Sequence, residues 1–185
     1  MTDETIIEQT KKWITDVVVG LNFCPFAARE LRRNSIAYDV VRSASATTVL
    51  ATLTSAMKEM DAAPEIETRF LLLPQGFGRF SAYLKLVNST TQLIKSSGYE
   101  GVYQVASFHP QYFFAGSRPT DAANYTNRSP HPMLQILREE SVSRAVASYP
   151  DTHKIPERNT AFAREKGLTA MQALLAACQQ VNSNG

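Results

Sequence analysis

Three short runs of β-branched, aromatic and aliphatic residues recur along the chain, and each has the composition of a β-strand. They are residues 36–41, 69–73 and 102–108, and they begin 33 residues apart. Between them, the apolar residues of 47–60 and 80–95 follow the period of an amphipathic helix. This alternation predicts a β-α-β-α-β unit, and therefore an α/β domain with a short, mostly parallel, three-stranded sheet covered by helices. An α+β arrangement with an antiparallel strand pair remains an alternative.

Helical segments are expected at both ends of the chain. Residues 3–20 place most of their apolar side chains on one helical face, and residues 168–178 form a second apolar stripe before a polar tail. Residues 133–148 are also predicted to be helical, with Pro132 at the first position, where proline is favoured. A length of 185 residues suits one globular domain, so we expect residues 1–185 to form a single unit.

Composition and charge exclude several classes of protein. The chain is 44% hydrophobic, and 19 basic residues against 17 acidic ones leave a net charge of only +2. A general nucleic-acid binder would be more basic, and no apolar stretch reaches the roughly 18 residues of a membrane span. The acidic start of the chain does not resemble a secretory signal, and two distant cysteines do not resemble a disulfide framework. We therefore expect a cytoplasmic protein without nucleic-acid or membrane partners.

The character of the sequence changes abruptly after the third predicted strand. Residues 109–132, called the 109–132 loop below, contain four prolines, many Asn, Ser, Thr and Tyr residues, and little apolar periodicity. More than 20 irregular residues inside a compact domain are uncommon and often functional. In a parallel sheet this loop would leave the carboxyl-terminal strand edge, where open α/β sheets bind their ligands. The alternative is that its polar side chains form turns and caps that satisfy the loop's own backbone.

Two kinds of chemistry are represented in the 109–132 loop. His109 is a candidate general acid/base, with His131 as a second imidazole and Asp121 as a group that orients the base. The helix expected after Pro132 would direct free backbone N–H groups toward an anion, and Arg128 would add a bidentate donor. The candidate ligand-binding side chains are Asn124, Asn127, Arg128, Ser129 and Arg118, together with Arg79 after the second predicted strand.

Cys24 is a candidate nucleophile because it lies just before a possible helix start at Pro25, where a helix dipole lowers a thiol pKa. Its two phenylalanine neighbours favour the opposite interpretation, a small buried hydrophobe. A metal site built from Cys24, His109, Asp121 and His131 is a further alternative. None of these residues has the close spacing of a zinc motif, so no metal ligand is assigned.

Several strings of residues identify a family resemblance. They are 20–27 (GLNFCPFA), 104–110 (QVASFHP) and 124–134 (NYTNRSPHPML), and residues 137–142 and 155–159 match as well. Together they resemble the bacterial family labelled domain of unknown function 1415, over nearly the whole chain. The resemblance implies a single-domain bacterial protein, and it implies no mechanism.

The leading hypothesis from the sequence is an enzyme that acts on a small anionic metabolite through the 109–132 loop. The alternative is a non-catalytic ligand-binding or interaction module that uses the same loop, and a metal-binding protein is the third possibility. The pattern identifies no cofactor, and it leaves open whether the protein is an enzyme.

Overall fold

The computed structural model describes residues 1–149 and 151–181. Within these residues the chain forms seven α-helices and four β-strands. In chain order the elements are α1 (Asp3–Trp13), α2 (Ala27–Arg33), β1 (Ile36–Val40), α3 (Ala46–Ala62), β2 (Thr68–Leu72), α4 (Phe80–Ser96), β3 (Tyr103–Phe108), β4 (Met133–Arg138), α5 (Glu139–Ser148), α6 (Ile155–Lys166) and α7 (Leu168–Gln179). Helix α1 continues into a π-helical segment, Ile14–Val19, and 3₁₀ turns cover Ala122–Thr126 and Thr152–Lys154.

The sheet has the strand order β1-β2-β4-β3. Strands β1 and β2 are parallel, whereas β4 pairs antiparallel with β2 on one side and with β3 on the other. The three predicted strands and the two helices between them are confirmed, with shifts of about one residue at some ends. The sheet is nevertheless a mixed, four-stranded one, so the prediction of three mostly parallel strands is corrected.

The strand that the sequence analysis did not predict, β4, is the first part of the segment 133–148 that was predicted to be a helix. Residues 133–138 form β4, and only residues 139–148 are helical. A short apolar run is compatible with either element, and periodicity alone does not separate them. In the folded chain, β4 lies between β2 and β3 and its backbone pairs with both. Leu134 of β4, for example, lies opposite Leu71 of β2 on one side and Ser107 of β3 on the other.

Helices cover both faces of the sheet. On one face, α3 and α4 enclose a core that includes Leu71, Leu134 and Ile136, and on the other face α1, α6 and α7 enclose Leu72 and Met133. Neighbouring residues of β2 and β4 therefore alternate between the two cores, as the two-residue period of a strand requires. Burying each of these side chains contributes about 1.5–3 kcal/mol. Within the described residues, no helix is both long and apolar enough to span a membrane.

The direction of the strands determines where the 109–132 loop lies. Because β4 is antiparallel to both β2 and β3, strand β3 runs in the same direction as β1 and β2. The carboxyl-terminal ends of these three strands therefore share one edge of the sheet, as predicted. The segment after β2 meets the loop after β3 at this edge, where the carbonyl of Phe77 lies 2.9 Å from Nε2 of His109.

Tyr83 of α4 forms hydrogen bonds with the last residue of β3 and the first residue of β4. Its ring is fully buried, and its hydroxyl donates to the carbonyl of Met133 (2.7 Å) and accepts from the N–H of Phe108 (3.0 Å). We expect Tyr83→Phe to lower the free energy of unfolding by about 2 kcal/mol, because two buried backbone groups lose their partner. Urea unfolding measures the change. Tyr125→Phe is the matched control, since Tyr125 is also buried but its hydroxyl has no hydrogen-bond partner among the described residues; equal losses in the two variants would contradict the assignment.

Candidate functional site

The 109–132 loop is an ordered structure organised around Asn124. This side chain is 0% exposed. Its Oδ1 accepts from the N–H of Phe114 (3.1 Å) and the hydroxyl of Ser117 (2.9 Å), and its Nδ2 donates to the carbonyl of Arg118 (2.9 Å). One amide thus fixes residues 114–118 against the 3₁₀ turn that follows. Asn124 therefore fits the alternative given for the polar residues of this loop, in which they form hydrogen bonds with the loop's own backbone.

Arg128, Asn127 and Ser129 stabilise the rest of the loop through hydrogen bonds to backbone carbonyls. The guanidinium of Arg128 donates to the carbonyls of Tyr112 (2.9 Å) and Pro119 (2.7 Å), and it lies over the ring of Tyr125. Asn127 donates to the carbonyl of Ser107 (3.4 Å), and the buried Ser129 donates to the carbonyl of His131 (2.6 Å). The sequence analysis proposed these side chains as ligand contacts, but in the structure they donate hydrogen bonds to backbone carbonyls of the protein itself.

A groove lies between the 109–132 loop and helix α6, with a volume of about 690 Å³. We call it the loop–α6 groove. Its charged lining residues are Arg118, Asp121 and Arg164, and its hydroxyl-bearing ones are Ser117, Thr120 and Thr160. Its apolar lining comes from Phe114, Ala115 and Ala123.

The charges in the loop–α6 groove are unevenly paired. Arg164 of α6 binds Asp121 with two hydrogen bonds, Nε to Oδ1 (3.1 Å) and a terminal nitrogen to Oδ2 (2.8 Å). This contact lowers the pKa of the Asp121 carboxyl, and the N–H of Ala123 lowers it further by capping Oδ1. Arg118 is exposed, and its guanidinium makes no hydrogen bond or ion pair with any described residue. Arg118 is therefore the free cation of the groove.

His109 lies outside the loop–α6 groove and is 0% exposed. Its Nδ1 accepts from the N–H of Gln111 (2.9 Å), so the hydrogen bond to the carbonyl of Phe77 requires a proton on Nε2. Its ring packs against Tyr83 and Phe80, with centroids 4.9 and 5.2 Å away. Burial lowers the pKa of the imidazole. Both ring nitrogens are thus committed to backbone groups, an arrangement typical of a structural histidine.

His131 and Cys24 are separated from the loop–α6 groove as well. Nε2 of His131 is bonded to Oε1 of Gln9 in α1 (2.7 Å), and burial lowers the pKa of this imidazole. Cys24 is half-buried, and burial raises the pKa of its thiol more than the N–H groups of Phe26 and Ala27 lower it. A raised thiol pKa is the opposite of what thiolate activation requires.

The structure does not assemble the metal site considered from the sequence. Across residues 1–149 and 151–181, no three His, Cys, Asp or Glu side chains come together as potential metal ligands. Asp121 is turned to Arg164, and His131 to Gln9. The metal-binding alternative therefore has no supporting donor set among the described residues.

The expected helix start after Pro132 does not exist. Pro132 precedes strand β4, and the helix begins only at Glu139, at the opposite end of that strand. The backbone N–H groups of residues 133–138 face neighbouring strands instead of a ligand. The predicted anion site at this helix terminus was therefore wrong. Arg79 is exposed at the start of α4 and is not a lining residue of the loop–α6 groove.

A second groove, of about 560 Å³, lies between β1 and α3. Its two arginines already have acidic partners: Arg69 contacts Asp39 (3.3 Å) and Glu59 (2.6 Å), and Arg42 contacts Asp3 (2.7 Å). The loop–α6 groove is therefore the better candidate, because it combines the unusual polar loop with an unpaired cation.

Comparison with known proteins agrees with the resemblance seen in the sequence. A family model described as "Protein of unknown function (DUF1415)" matches residues 5–173 of the 185. The chain belongs to the DUF1415 family. No curated protein and no solved structure matches it.

The strings that carry the resemblance meet in space in this DUF1415 protein. Asn159 donates to the carbonyl of Phe23 (2.6 Å), and Arg158 donates to the carbonyl of Asn22, a residue with a positive φ of 55°. The N–H of His109 donates to the carbonyl of Asn127 (3.2 Å). Trp13 of α1 contacts both of these last two strings, because its ring packs edge-on against Phe108 and its N–H donates to the carbonyl of Arg128 (2.9 Å). The strings thus meet in two pairs, 20–27 with 155–159 and 104–110 with 124–134.

Sequence reasoning missed the α6 half of the groove in this DUF1415 protein. Thr160 and Arg164 are four residues apart, so they share one helical face, but a half-buried Thr and an exposed Arg on a polar helix carry no distinctive signal. Arg164 becomes recognisable only through its contact with Asp121, 43 residues earlier in the chain.

Proposed function

We propose that this protein binds a small anionic ligand in the loop–α6 groove. The observation that carries the proposal is the exposed guanidinium of Arg118, which has no protein partner in the described chain and lines a groove that also holds Arg164. A guanidinium offers five N–H donors in a planar fork that suits carboxylate and phosphate oxygens. The uncommitted hydroxyl of Thr120 adds a further donor beside Arg118.

The rigid backbone around Arg118 supports a role of the groove in ligand binding. The carbonyl of Arg118 is held by Asn124, and Pro119 follows directly. The backbone that carries the free guanidinium is therefore fixed before any ligand arrives, which reduces the entropy lost on binding.

The proposal is one of binding rather than turnover. None of the side chains with acid/base or nucleophilic potential singled out in the sequence, namely His109, His131 and Cys24, lines the loop–α6 groove. Asp121 does line it, but its carboxylate is held ionised by Arg164 and capped on Ala123, so it is a poor proton donor at neutral pH.

The test is isothermal titration calorimetry with a panel of simple anions: acetate, propionate, malonate, sulfate and phosphate. We expect Arg118→Gln to weaken the binding of those that bind by about ten-fold or more, because a charge-assisted hydrogen bond is lost. Thermal unfolding should be nearly unchanged, since the exposed guanidinium stabilises nothing else in the described chain.

Arg32→Gln is the matched control for this experiment. Arg32 is an exposed arginine on α2 that likewise lacks a partner in the described chain, and it does not line the groove. Its removal changes the net charge equally and should leave binding intact. The proposal fails if no anion of the panel binds the wild-type protein, or if the two variants bind alike.

A further inference from the structure

One edge of the Arg164 guanidinium remains open in the loop–α6 groove. Asp121 occupies the other edge, through hydrogen bonds from Nε (3.1 Å) and from one terminal nitrogen (2.8 Å). These contacts use two of the five N–H groups that a guanidinium carries. No described residue accepts from the other three, which lie on the edge formed by the two terminal nitrogens, and the side chain is 60% exposed. Arg164 therefore keeps a planar pair of donors that a ligand can reach.

The lining of the groove also has a net positive charge. Arg118 and Arg164 contribute two positive charges and Asp121 contributes one negative charge, so the sum is +1. Asp121 is ionised at neutral pH, because Arg164 and the N–H of Ala123 hold its pKa below the ordinary range. Since electrostatic attraction grows with the charge of the ligand, a dianion gains more in this groove than a monoanion does.

The two open guanidinium forks belong to different walls of the groove. Arg118 is part of the 109–132 loop, and Arg164 is part of α6. A planar carboxylate matches the fork of one arginine, and a dicarboxylate presents two such groups joined by methylene carbons. Phe114, Ala115 and Ala123 give the groove apolar surface for such a carbon chain. Phosphate and sulfate gather their charge on one centre and have no carbon chain to cover this surface.

We propose that the loop–α6 groove binds a short-chain dicarboxylate, with one carboxylate at Arg118 and the other at the open edge of Arg164. Arg164 then has two roles: its Nε edge holds Asp121, and its terminal edge binds the ligand. This inference rests on the proposed function and names the class of anion.

Matched pairs of carboxylates test the inference: propionate with malonate, butyrate with succinate, and pentanoate with glutarate. The members of a pair have the same number of carbons and differ by one carboxylate, and the three lengths sample the span between the two forks. The calorimetric titrations are run at pH 7.5 and one low ionic strength, because salt screens the effect. We expect at least one dicarboxylate to bind the wild-type protein about ten-fold more tightly than the monocarboxylate of its pair, because a second charge-assisted contact forms.

A double variant, Asp121→Asn with Arg164→Gln, separates a two-point contact from an effect of net charge. It removes one negative and one positive charge, so the lining keeps its net charge of +1 through Arg118 while the second fork is lost. The amide oxygen introduced at position 121 remains available to cap Ala123. Monocarboxylate binding, which needs only Arg118, should change by less than about two-fold. The preference for the dicarboxylate should fall from about ten-fold to about two-fold.

Two further variants complete the experiment. Arg164→Lys keeps the charge balance, but a single ammonium beside Asp121 offers no second fork, so the preference should fall in the same way. Lys166→Gln is the matched control, because Lys166 is an exposed cation at the end of α6 and is not a lining residue of the groove. It should leave the ratio of affinities unchanged.

The outcomes separate the two proposals. If no anion binds, or if Arg118→Gln and Arg32→Gln bind alike, the proposed function itself is overturned. Where anions do bind through Arg118, three results overturn the dicarboxylate inference alone: no dicarboxylate is preferred, phosphate or sulfate binds more tightly than every dicarboxylate, or the double variant keeps the wild-type ratio. A preference that is lost in the double variant and in Arg164→Lys, and retained in Lys166→Gln, supports it.

Discussion

Replacing Asn124 with alanine is expected to lower the free energy of unfolding by about 3 kcal/mol and to abolish anion binding in the same step. The substitution removes three hydrogen bonds from a side chain with no solvent exposure. It leaves the N–H of Phe114 without a partner, and the carbonyl of Arg118 keeps only the N–H of Asp121 (2.9 Å). Because residues 114–118 line the groove and are tied to the 3₁₀ turn by this side chain, the groove should lose its shape even where the fold survives.

Chemical denaturation and calorimetry measure the two effects separately. Asn124→Asp keeps an acceptor for Phe114 but places an oxygen against the carbonyl of Arg118, so it should also be destabilising although its volume is unchanged. Asn88→Ala, at an exposed position of α4, is the control and should be neutral or slightly stabilising. Full anion binding by a folded Asn124→Ala protein would contradict the role of Asn124 as the organiser of the groove.

Replacing His109 with alanine is expected to cost about 4 kcal/mol of stability, the largest effect of any single change described above. The imidazole is fully buried between Tyr83 and Phe80, so its removal leaves a cavity. The carbonyl of Phe77 and the N–H of Gln111 lose their hydrogen-bond partner at the same time. A catalytic histidine usually behaves differently, because its removal abolishes turnover while the fold is retained.

The lowered pKa of His109 also leads us to expect a pH dependence of the free energy of unfolding. Burial lowers the pKa of its imidazole below 6.5 in the folded state, whereas the unfolded chain has the ordinary value. Well above pH 6.5 both states are neutral at this residue, so it adds no pH dependence. As the pH falls from 6.5 toward the folded-state pKa, the unfolded state binds a proton that the folded state does not. Stability should then decrease, by at most about 1.4 kcal/mol per pH unit for one histidine.

Nuclear magnetic resonance of the imidazole carbons gives a direct check on this prediction, and it does not require a variant that folds. The His109 resonances should titrate below pH 6.5, with the proton on Nε2 in the neutral form. Urea unfolding at pH 7.5 and 5.5 should show the accompanying loss of stability, to which His131 adds in the same direction because burial lowers its pKa as well. A folded-state pKa at or above 6.5, or a neutral form with its proton on Nδ1, would contradict the buried structural role and would return His109 to the list of candidate acid/base groups.

The candidate site shows where local sequence is informative and where it is not. Residues 109–132, singled out by their unusual composition, form one wall of the loop–α6 groove and include Arg118 and Asp121. The same composition did not distinguish side chains that face the groove from those that face the backbone. Arg128 and Asn124 have the residue types of ligand contacts, but unsatisfied carbonyl and N–H groups of a long loop are closer partners than solvent.

The sequence by itself determined β1, β2, β3 and the two helices between them, because each has a periodicity or an apolar run that stands without distant contacts. It also determined the edge at which the loop emerges, since strands joined by crossover helices run in one direction. Tertiary structure decided β4, whose apolar run is compatible with a helix until strands on both sides offer hydrogen bonds. It likewise decided the burial of His109 and the pairing of Asp121 with Arg164, because both depend on residues brought together only by folding. Local preference sets an element where one conformation is clearly favoured, and long-range hydrogen bonds and burial decide the rest.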